Sequence, residues 1–490
     1  MFEQGIVILY CFFFFFIILF SIGQLALLVT FLLNRKKEII LNKRIDLPLL
    51  TIQLPIFNER YVIERLLDAV ERLNYPKYLL EIQLLDDSTD DTCTIAAKRV
   101  EKLKTLGFNI QHIRRSNREG YKAGALQNGL ISASGEYLAI FDADFIPYPD
   151  FLIDTLSYFT DQHIGMVQTR WGHLNAMQSL LTRAQATGLN NHFIIDQEGR
   201  NKGGYFINFN GTAGIWKKEC IIDAGGWKSD TLTEDLDLSY RAQIKGWKFN
   251  YCPELIIPAE LPDRISAVRT QQFRWTKGGV EASKKLLGKL WKAKLGIDVK
   301  LFGSFHLLNN FIYAFIFISA LISVPLMFVK NTSTEFSELF EWNALIITVM
   351  LINFLYCFIA ILVDKKKLIA ALVEVATAFP IAVILSLGMS YHNTRAILEG
   401  ITGKKTAFIR TPKFSESSEN NPYLKRHGYK EYAPEFLLFL YFSFAAAASI
   451  YFKDFGFLIY HLLMLSGLGF ILYSAWSENL QFNPIRQISH

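Results

Sequence analysis

The feature that most constrains this 490-residue chain is an uncharged apolar stretch at residues 5–33, long enough to cross a lipid bilayer. A spanning helix needs about 20 apolar residues, since the bilayer core offers the backbone no other hydrogen-bond partners. A cleaved signal peptide carries its basic residues first, whereas here the basic cluster at residues 35–37 follows the apolar stretch. This order predicts an uncleaved anchor with its N-terminus outside and the following residues in the cytosol.

Further apolar stretches occupy the C-terminal part of the chain, so that hydrophobic residues make up 51% of the whole. They lie at residues 302–329, 344–363, 368–389, 434–452 and 455–476. Between the two apolar parts, at residues 47–300, the composition is that of a soluble protein. The pattern predicts a soluble domain inserted between membrane helices.

The charges that flank these stretches predict which of them cross the membrane. The loop at residues 330–343 is acidic and is expected outside, whereas the basic residues 365–367 and the basic stretch 404–430 are expected inside. Residues 368–389 lie between two internal segments, so we expect them to lie along the interface or to form a re-entrant hairpin. Five spans then remain, and the C-terminus is expected inside.

A basic amphipathic pattern covers residues 280–295, where leucines and a tryptophan recur at helical spacing opposite four lysines. Such a helix suits the surface of an anionic membrane. A helix packed on the soluble domain is the alternative.

Charge and cysteine content exclude several classes of protein. The formal net charge of +6 is a small excess for this length and does not suggest a nucleic-acid partner. The five cysteines are odd in number and show no Cys-x-x-Cys spacing, which argues against a disulfide framework or a zinc site. We therefore expect the soluble domain to lie in a reducing compartment.

Apolar, β-rich runs alternate with helical patterns in the first part of the soluble domain. Strands are predicted at residues 49–54, 81–85, 109–113 and 137–141, and helices at residues 61–73, 92–106 and 122–132. This alternation predicts the α/β class, with a mainly parallel sheet and helices on both faces. Such sheets bind ligands beyond the carboxyl ends of their strands, which is where acidic clusters occur.

Two acidic clusters directly follow predicted strands. Asp86 and Asp87 directly follow the second strand. Two adjacent carboxylates are more than a helix cap needs, and they could accept hydrogen bonds from a nucleobase or a ribose. Asp142 and Asp144 follow the fourth strand, and alternation along an extended chain would place both side chains on one side. Two such carboxylates suit Mg²⁺ or Mn²⁺, which would neutralise a diphosphate leaving group.

Two later motifs contain further candidate functional residues. In Thr-Glu-Asp at residues 233–235, a carboxylate could act as the general base that deprotonates a sugar hydroxyl. An equal alternative is that these acidic residues belong to the first turn of a helix at 236–244, where acidic side chains are favoured. In Gln-Gln-Phe-Arg-Trp at residues 271–275, the arginine suits a phosphate and the tryptophan a sugar ring. An amphipathic helix with its arginine at the membrane interface is the alternative there.

In this order, and with flanking spans, these motifs resemble those of the cellulose synthase superfamily of family-2 glycosyltransferases, most closely the plant cellulose-synthase-like mannan and glucan synthases. The resemblance covers residues 47–413. Further matching motifs are Pro-Ile-Phe-Asn-Glu at 55–59, Gly-Tyr-Lys-Ala-Gly-Ala-Leu at 120–126, Val-Gln-Thr-Arg-Trp at 167–171, Phe-Asn-Gly-Thr-Ala-Gly at 209–214, Gly-Gly-Trp at 225–227 and Glu-Leu-Pro at 260–262.

The resemblance implies a role for each matching residue. The donor would contact Pro55, Glu59, Asp86, Asp87, Lys122, Gln271, Arg274, Thr411 and Lys413. The acceptor would contact Trp171, Gly211, Thr212 and Trp275. Metal coordination would fall to Asp142 and Asp144, and catalysis to Asp235, as general base, with Glu234 beside it.

A later stretch, Phe-Ile-Arg-Thr-Pro-Lys at residues 408–413, is similar to the gating loop that covers the donor in this family, with Arg410 at the usual valine position. Together with the hydropathy, the resemblance divides the chain into six segments. They are an anchor at 1–37, a GT-A-type domain at 38–279, an amphipathic interface helix at 280–300, two spans at 301–364, interface or re-entrant helices with the gating loop at 365–431, and two spans at 432–490.

The family implies metal-dependent, inverting transfer from a nucleotide sugar, UDP-glucose or GDP-mannose, to a growing β-linked polysaccharide that many members translocate. A glycolipid synthase is the alternative, because related membrane enzymes with the same motifs add one sugar to a diacylglycerol or ceramide-like acceptor. A transporter or inactive scaffold is a remote third hypothesis, since it leaves the carboxylate and Arg-Trp motifs without a role. A bacterial inner membrane and a Golgi or plasma membrane both fit the sequence.

Overall fold

A computed structural model of the chain describes residues 2–37, 41, 46–333, 335–336, 344–406 and 428–481. The strands are β1 (Leu50–Ile56), β2 (Leu80–Asp86), β3 (Asn109–Arg114), β4 (Tyr137–Ile140), β5 (Ile164–His173), β6 (Gly214–Lys217) and β7 (Lys248–Ala259). The helices are α1 (Phe2–Asn34), α2 (Ile63–Glu71), α3 (Thr92–Thr105), α4 (Tyr121–Ser132), α5 (Phe151–Leu156), α6 (Leu180–Asn191), α7 (Glu198–Gly203), α8 (Lys218–Asp223), α9 (Glu234–Ile244), α10 (Ile265–Lys292), α11 (Ile297–Leu308), α12 (Ile312–Thr332), α13 (Ala344–Lys365), α14 (Leu368–Thr402), α15 (Ala433–Tyr451) and α16 (Phe455–Gln481).

The strands form a single sheet in the order β3-β2-β1-β4-β6-β5-β7. β1 pairs in parallel with β2 and β4, β2 pairs in parallel with β3, and β7 pairs in parallel with β5. Only β6 runs against its two neighbours among the described strands. The predicted α/β class with a mainly parallel sheet is therefore confirmed, and each strand and helix predicted up to residue 141 is present.

The sheet is buried on both faces because alternate residues of each strand pack on different helices. Leu50, Ile52 and Leu54 of β1 join the core beneath α2, α3 and α5. On the opposite face, α4, α8 and α9 cover a second core. A buried side-chain hydrogen bond links β1 to β2, where Gln53 Nε2 donates to Gln83 Oε1 over 3.0 Å. This packing holds the carboxyl ends of β1, β2 and β4 at one edge.

Long apolar helices precede and follow the sheet domain. Within the described part of the chain, six are long and apolar enough to cross a membrane: Phe2–Asn34, Ile297–Thr332, Ile346–Lys365, Leu368–Thr402, Lys430–Tyr451 and Phe455–Leu480. The helix α1 packs against α12 and α13, and α14 packs against α12, α13 and α16. This arrangement fits a multi-pass membrane protein in which the sheet domain lies between the first and the second apolar helix.

The predicted amphipathic helix at residues 280–300 is not a separate element, because its first part completes α10. Leu286 and Leu290 are fully buried and pack against Phe206 and Tyr240 of the sheet domain. This packing favours the alternative of a helix packed on the soluble domain, while contact of the segment with a membrane surface stays a prediction.

Residues 368–389 form the N-terminal part of α14, a single helix of 35 residues that contains Pro380. A re-entrant hairpin requires the chain to reverse its direction, so that alternative is wrong. Placement along the interface stays a prediction, because α14 also has the length and composition of a span.

Candidate active site

A pocket opens at the carboxyl ends of the parallel strands, where their loops meet α9 and α10. Ligands bind at this edge in open α/β sheets because the strand ends leave a crevice there. The pocket gathers predicted functional residues from distant parts of the chain, namely Pro55, Glu59, Asp87, Lys122, Asp142, Asp144, Trp171, Gly211, Glu234, Asp235, Gln271, Arg274 and Trp275. The structure thus brings these residues together, while their individual roles stay predictions.

The two carboxylates after β4 lie in a turn and not in an extended segment. Phe145 N donates to Asp142 O over 3.1 Å, which closes the turn. The expected alternation along an extended chain is therefore wrong, although Asp142 and Asp144 both line the pocket. Thr212 is fully buried and accepts a hydrogen bond from Asp142 N at 2.8 Å. Thr212 therefore supports the turn from behind, and its predicted contact with the acceptor stays a prediction.

Lys122, in the first turn of α4, places a positive charge between the two sides of the pocket. Its Nζ lies 2.5 Å from Asp142 Oδ1 and donates to Gly211 O over 2.9 Å. Burial lowers the pKa of Lys122, but the charges of Asp142 and Glu234 outweigh burial and raise the pKa above its ordinary value. Lys122 is therefore a fixed cation at neutral pH.

Asp235 stands in the first turn of α9, and its Oδ1 accepts a hydrogen bond from Leu236 N at 2.8 Å. Burial, followed by the charge of Glu234, raises the pKa of Asp235 to about 7. Gly211 has φ of +84°, and a Cβ at this position would lie 3.0 Å from Asp235 Oδ2. Glycine therefore lets the chain pass close to a carboxylate whose pKa suits proton transfer near neutral pH.

The motif at residues 271–275 lies on α10 and faces the pocket from the side opposite to the sheet. Gln271, Arg274 and Trp275 share one face of the helix because residues three and four apart are neighbours there. Burial lowers the pKa of Arg274, while the negative charges of Glu234 and Asp142 oppose that effect. The arginine thus stays cationic and lies within an acidic group of side chains.

Buried charges attach α10 to the membrane helices on both sides of this motif. Arg269 Nη1 lies 2.7 Å from Glu435 Oε1 of α15, and its guanidinium stacks over the Tyr432 ring at 4.4 Å. Lys277 is fully buried and lies 3.7 Å from Glu399 Oε2 of α14. The position of the pocket wall formed by α10 therefore depends on helices outside the sheet domain.

The first acidic pair divides between two environments. Asp86 is buried away from the pocket wall, where Ser88 N donates to its Oδ1 over 2.8 Å and His112 Nε2 lies 2.7 Å from its Oδ2. Burial raises the pKa of Asp86, but these hydrogen bonds outweigh burial and lower it. In this structure the Asp86 carboxylate is thus engaged by Ser88 and His112, and its predicted donor contact stays a prediction. Asp87 does line the pocket, held by Arg115 Nε at 2.9 Å.

Several pocket residues were missed by sequence reasoning although they adjoin recognised motifs. The Arg118 guanidinium lies 3.3 Å from the centroid of the Phe57 ring, and both residues line the pocket. His173, two residues beyond Trp171 on β5, also lines it, and burial lowers the pKa of His173 to about 4. Asn210, inside the matched motif at 209–214, is a further lining residue. Neighbouring motif residues were the available signal for each.

The predicted donor contacts Thr411 and Lys413 lie outside the described residues, as does the rest of the stretch similar to a gating loop.

Comparison with known proteins places this geometry among glycosyltransferases. A family model described as "Glycosyltransferase like family 2" matches residues 48–278. The chain is 34% identical over 392 residues to "Probable glucomannan 4-beta-mannosyltransferase 3" of Oryza sativa subsp. japonica, covering 77% of this chain and 68% of the relative. It is 40% identical over 269 residues to "Glucomannan 4-beta-mannosyltransferase 9" of Arabidopsis thaliana, covering 54% of this chain and 50% of that relative.

Among solved structures, the fold is similar to that of the mannosyltransferase PcManGT from Pyrobaculum calidifontis, solved in complex with GDP-Man and Mn²⁺. The TM-score is 0.56 at 18% identity, and the match covers 83% of this chain and 100% of the other. At this identity the likeness shows a shared fold of the GT-A type.

Proposed function

This chain belongs to the cellulose synthase superfamily of family-2 glycosyltransferases, and from that membership we propose that it polymerises a β-linked, mannan-type polysaccharide from GDP-mannose. The observation that carries the proposal is the pocket in which Asp235, Lys122 and Arg274 meet two further carboxylates. The names of the relatives favour mannose as the transferred sugar. UDP-glucose is the second donor to test.

In the proposed reaction, ionised Asp235 removes the proton of an acceptor hydroxyl. The hydroxyl oxygen then forms a bond to the anomeric carbon of the donor sugar, on the face opposite to the diphosphate. The bond between that carbon and the diphosphate oxygen breaks, and its electron pair leaves with the nucleoside diphosphate. An α-linked donor thereby yields a β-linkage. A carboxyl pKa near 7 supports this role, since a base works best near the operating pH.

Asp142 and Asp144, which line the same pocket, have the oxygen donors that Mg²⁺ or Mn²⁺ prefers. Among the described residues, no group of three or more His, Cys, Asp or Glu side chains could hold a metal ion. A two-carboxylate site completed by substrate phosphates is the arrangement that Mg²⁺ adopts with nucleotides, so the residues present fit such an ion. When bound, the cation would neutralise charge on the diphosphate.

The other pocket residues divide between donor and acceptor in this proposal. Lys122, Gln271 and Arg274 would hold the diphosphate, since a lysine charge and an arginine fork both suit phosphate oxygens. Trp275 and Trp171 would contact acceptor sugar rings, because both line the pocket and indole rings suit stacking on sugars. The acceptor is the end of the growing glycan.

The proposal places the sheet domain on the cytosolic side of the membrane, as the basic clusters that follow α1 and α13 predict. Arg170 of β5 lies 2.8 Å from Asp364 at the end of α13, which supports a domain seated against these helix ends. α10 packs against α14 and α16, so the acceptor side of the pocket adjoins the membrane helices. We include passage of the product between those helices in the proposal.

The experiment supplies radiolabelled GDP-mannose and UDP-glucose in parallel to the detergent-purified full chain, with Mn²⁺, Mg²⁺ or a chelator. Products are separated by partition into organic solvent and by digestion with β-mannanase and β-glucanase. We expect a polymer from GDP-mannose that β-mannanase digests, that requires a divalent cation, and that the Asp235→Asn variant does not make. The β-specific digestion also tests inversion.

Other outcomes would replace the proposal. A polymer made from UDP-glucose and digested by β-glucanase would exchange the donor while keeping the mechanism. A short labelled product that enters the organic solvent would identify a glycolipid synthase. Absence of turnover of either sugar by the purified chain, with every cation, would overturn transferase activity toward these donors.

A further inference from the structure

A π-helical turn, His192–Gln197, lies between α6 and α7, where the sheet domain meets the membrane helices. Ile194 and Ile195 of this turn belong to one buried cluster with Phe31 of α1 and Tyr356 of α13. Short π-helical segments are uncommon and occur often at functional sites. Its polar side chains are therefore candidates for a role in the reaction.

These polar side chains form a continuous chain of hydrogen bonds from α13 to the pocket. The Tyr356 hydroxyl donates to Asp196 Oδ1. Asp196 Oδ2 lies 3.3 Å from His192 Nδ1, and His192 Nε2 lies 3.0 Å from Asn210 Nδ2. Gln197 Nε2 donates to Asn210 Oδ1 over 2.5 Å. Asn210 itself lines the pocket.

The direction of each hydrogen bond follows from chemistry. The Asp196 carboxylate only accepts, so His192 Nδ1 carries the ring proton and Nε2 has a lone pair. The Asn210 amide group then donates to that lone pair, while the Asn210 carbonyl oxygen accepts from Gln197. These hydrogen-bond directions are mutually consistent, so the amide group and the carbonyl oxygen of Asn210 are both held in place.

The π-helical geometry is what brings both partners to Asn210. His192 and Gln197 are five residues apart, and in an α-helix of about 3.6 residues per turn they would lie on different faces. In a π-helix, whose hydrogen bonds join residues five apart, the two side chains lie on the same side. The irregular turn therefore has a geometric purpose that a regular helix would not serve.

Asn210 precedes Gly211, whose backbone lies beside the proposed base and the lysine of the pocket. Gly211 O accepts from Lys122 Nζ, and a Cβ on Gly211 would lie 3.0 Å from Asp235 Oδ2. Asn210 N also donates to Gln168 Oε1 over 2.9 Å. A displacement of Asn210 would therefore move the backbone that lies against the base, while Lys122 would keep its ion pair with Asp142.

We propose that the Tyr356–Asn210 hydrogen-bond chain, consisting of Tyr356, Asp196, His192 and Asn210, positions the Asn210-Gly211 loop for the acceptor. His192 and Asp196 are positioning residues in this inference. Through this chain, the position of the membrane helix α13 affects the position of the loop on the acceptor side of the pocket. The inference rests on the proposed function, because it assigns the loop to glycan transfer.

The test measures transfer kinetics of His192→Phe, His192→Gln and the wild-type chain. The donor is the nucleotide sugar that the wild type uses, and the primer is β-1,4-mannotetraose or cellotetraose. We expect His192→Phe to reduce kcat/KM for the primer about tenfold, the effect of one lost hydrogen bond of ordinary strength. Affinity for the nucleoside diphosphate and hydrolysis of the donor by water should change less than about threefold. His192→Gln should recover part of the loss, since its side-chain oxygen can accept from Asn210.

A second pair of variants tests the membrane end of the chain. Tyr356→Phe removes only the hydroxyl that donates to Asp196, and we expect a smaller loss in the same parameter. Tyr441→Phe is the matched control, because the Tyr441 hydroxyl donates to Leu321 O within the membrane helices, over 2.8 Å. The double variant Tyr356→Phe/His192→Phe should be no worse than His192→Phe alone.

Three results would overturn the inference: primer kinetics of His192→Phe within twofold of wild type, equal losses of primer and nucleotide affinity, or independent effects of Tyr356→Phe and His192→Phe. Failure of the proposed function is distinguishable, because it would show in the wild-type chain as absence of primer elongation with either donor.

Discussion

The sheet domain and the membrane helices use their charged side chains in different ways. In the sheet domain, charges converge on one edge, where Lys122, Asp142 and Asp235 line a pocket. In the membrane helices, the carboxylate of Glu435 instead forms a buried ion pair with Arg269 of α10. The difference indicates that one region contains the reacting groups and that the other holds part of the pocket in place.

The helix α10 belongs to both regions. One stretch of it presents Gln271, Arg274 and Trp275 to the pocket, while Arg269 and Lys277 on either side bind α15 and α14. Substitutions in the two regions should therefore separate chemistry from positioning, and the following predictions test that separation from the largest effect to the smallest.

The sharpest contrast is expected from Asp235→Asn in the sheet domain. Loss of a general base should reduce transfer about 10²–10⁴-fold, while nucleotide affinity is kept. The folded-state pKa is raised, so the ionised carboxylate costs stability above its ordinary pKa, and this cost is complete above pH 7. The variant should thus unfold at an equal or higher temperature than the wild type at pH 8. A lowered unfolding temperature together with retained transfer would contradict both statements.

Glu435→Gln in α15 should show the reverse pattern, because it should lower the free energy of unfolding more than it affects the chemical step of transfer. Glu435 is 1% exposed and Arg269 is 11% exposed, so removal of one partner leaves a buried, unpaired charge. We expect a cost of about 3 kcal/mol in the free energy of unfolding, together with reduced kcat as α10 loosens. Denaturant unfolding in detergent measures the first effect.

The control for that variant is Glu374→Gln, which removes the pair with Lys365 at side-chain exposures of 35% and 43%. Solvent screening limits such a pair to less than about 1 kcal/mol. Equal costs for the two variants would show that the buried pair has no special part in holding α10.

The pH dependence of the wild type tests the sheet domain without a substitution. Only ionised Asp235 accepts a proton, so kcat/KM should fall about tenfold per pH unit below a midpoint near 7 and level off above it. Initial rates between about pH 5.5 and 8.5 measure the profile. The Glu435→Gln variant should keep the same midpoint at a lower plateau, and a displaced midpoint would mean that the two regions are not separable.

Only a small effect on transfer is expected from Asp364→Asn, which removes the pair of α13 with Arg170. Arg170 is 12% exposed and Asp364 is 33% exposed, so we expect a cost of about 1 kcal/mol in unfolding free energy. Transfer should stay within about twofold of wild type. A loss of transfer without a loss of stability would assign this contact to the reaction and not to docking of the domain.

Local patterns in the sequence were sufficient for much of the fold. The apolar length of α1 and the strand–helix alternation up to β4 were predicted correctly, because a spanning helix and a buried strand each require an uninterrupted local pattern. The convergence of Asp142, Asp235 and Trp275 on one pocket was accessible through motif order. The direction in which individual side chains point was not, as Asp86, Thr212 and the leucines of α10 demonstrate.

The apolar helices, the α/β sheet and the motif residues of the pocket could be predicted from the sequence alone, since each depends on a pattern within a short stretch. The burial of Leu286 against the sheet domain, the contact of Asp86 with His112 and the hydrogen bonds that link Asn210 to α13 became visible only in the folded structure. The Tyr356–Asp196 contact joins residues 160 positions apart, and the His192–Asn210 contact joins residues 18 apart. Such pairs form only when the packed elements bring them together, and no local pattern encodes that meeting.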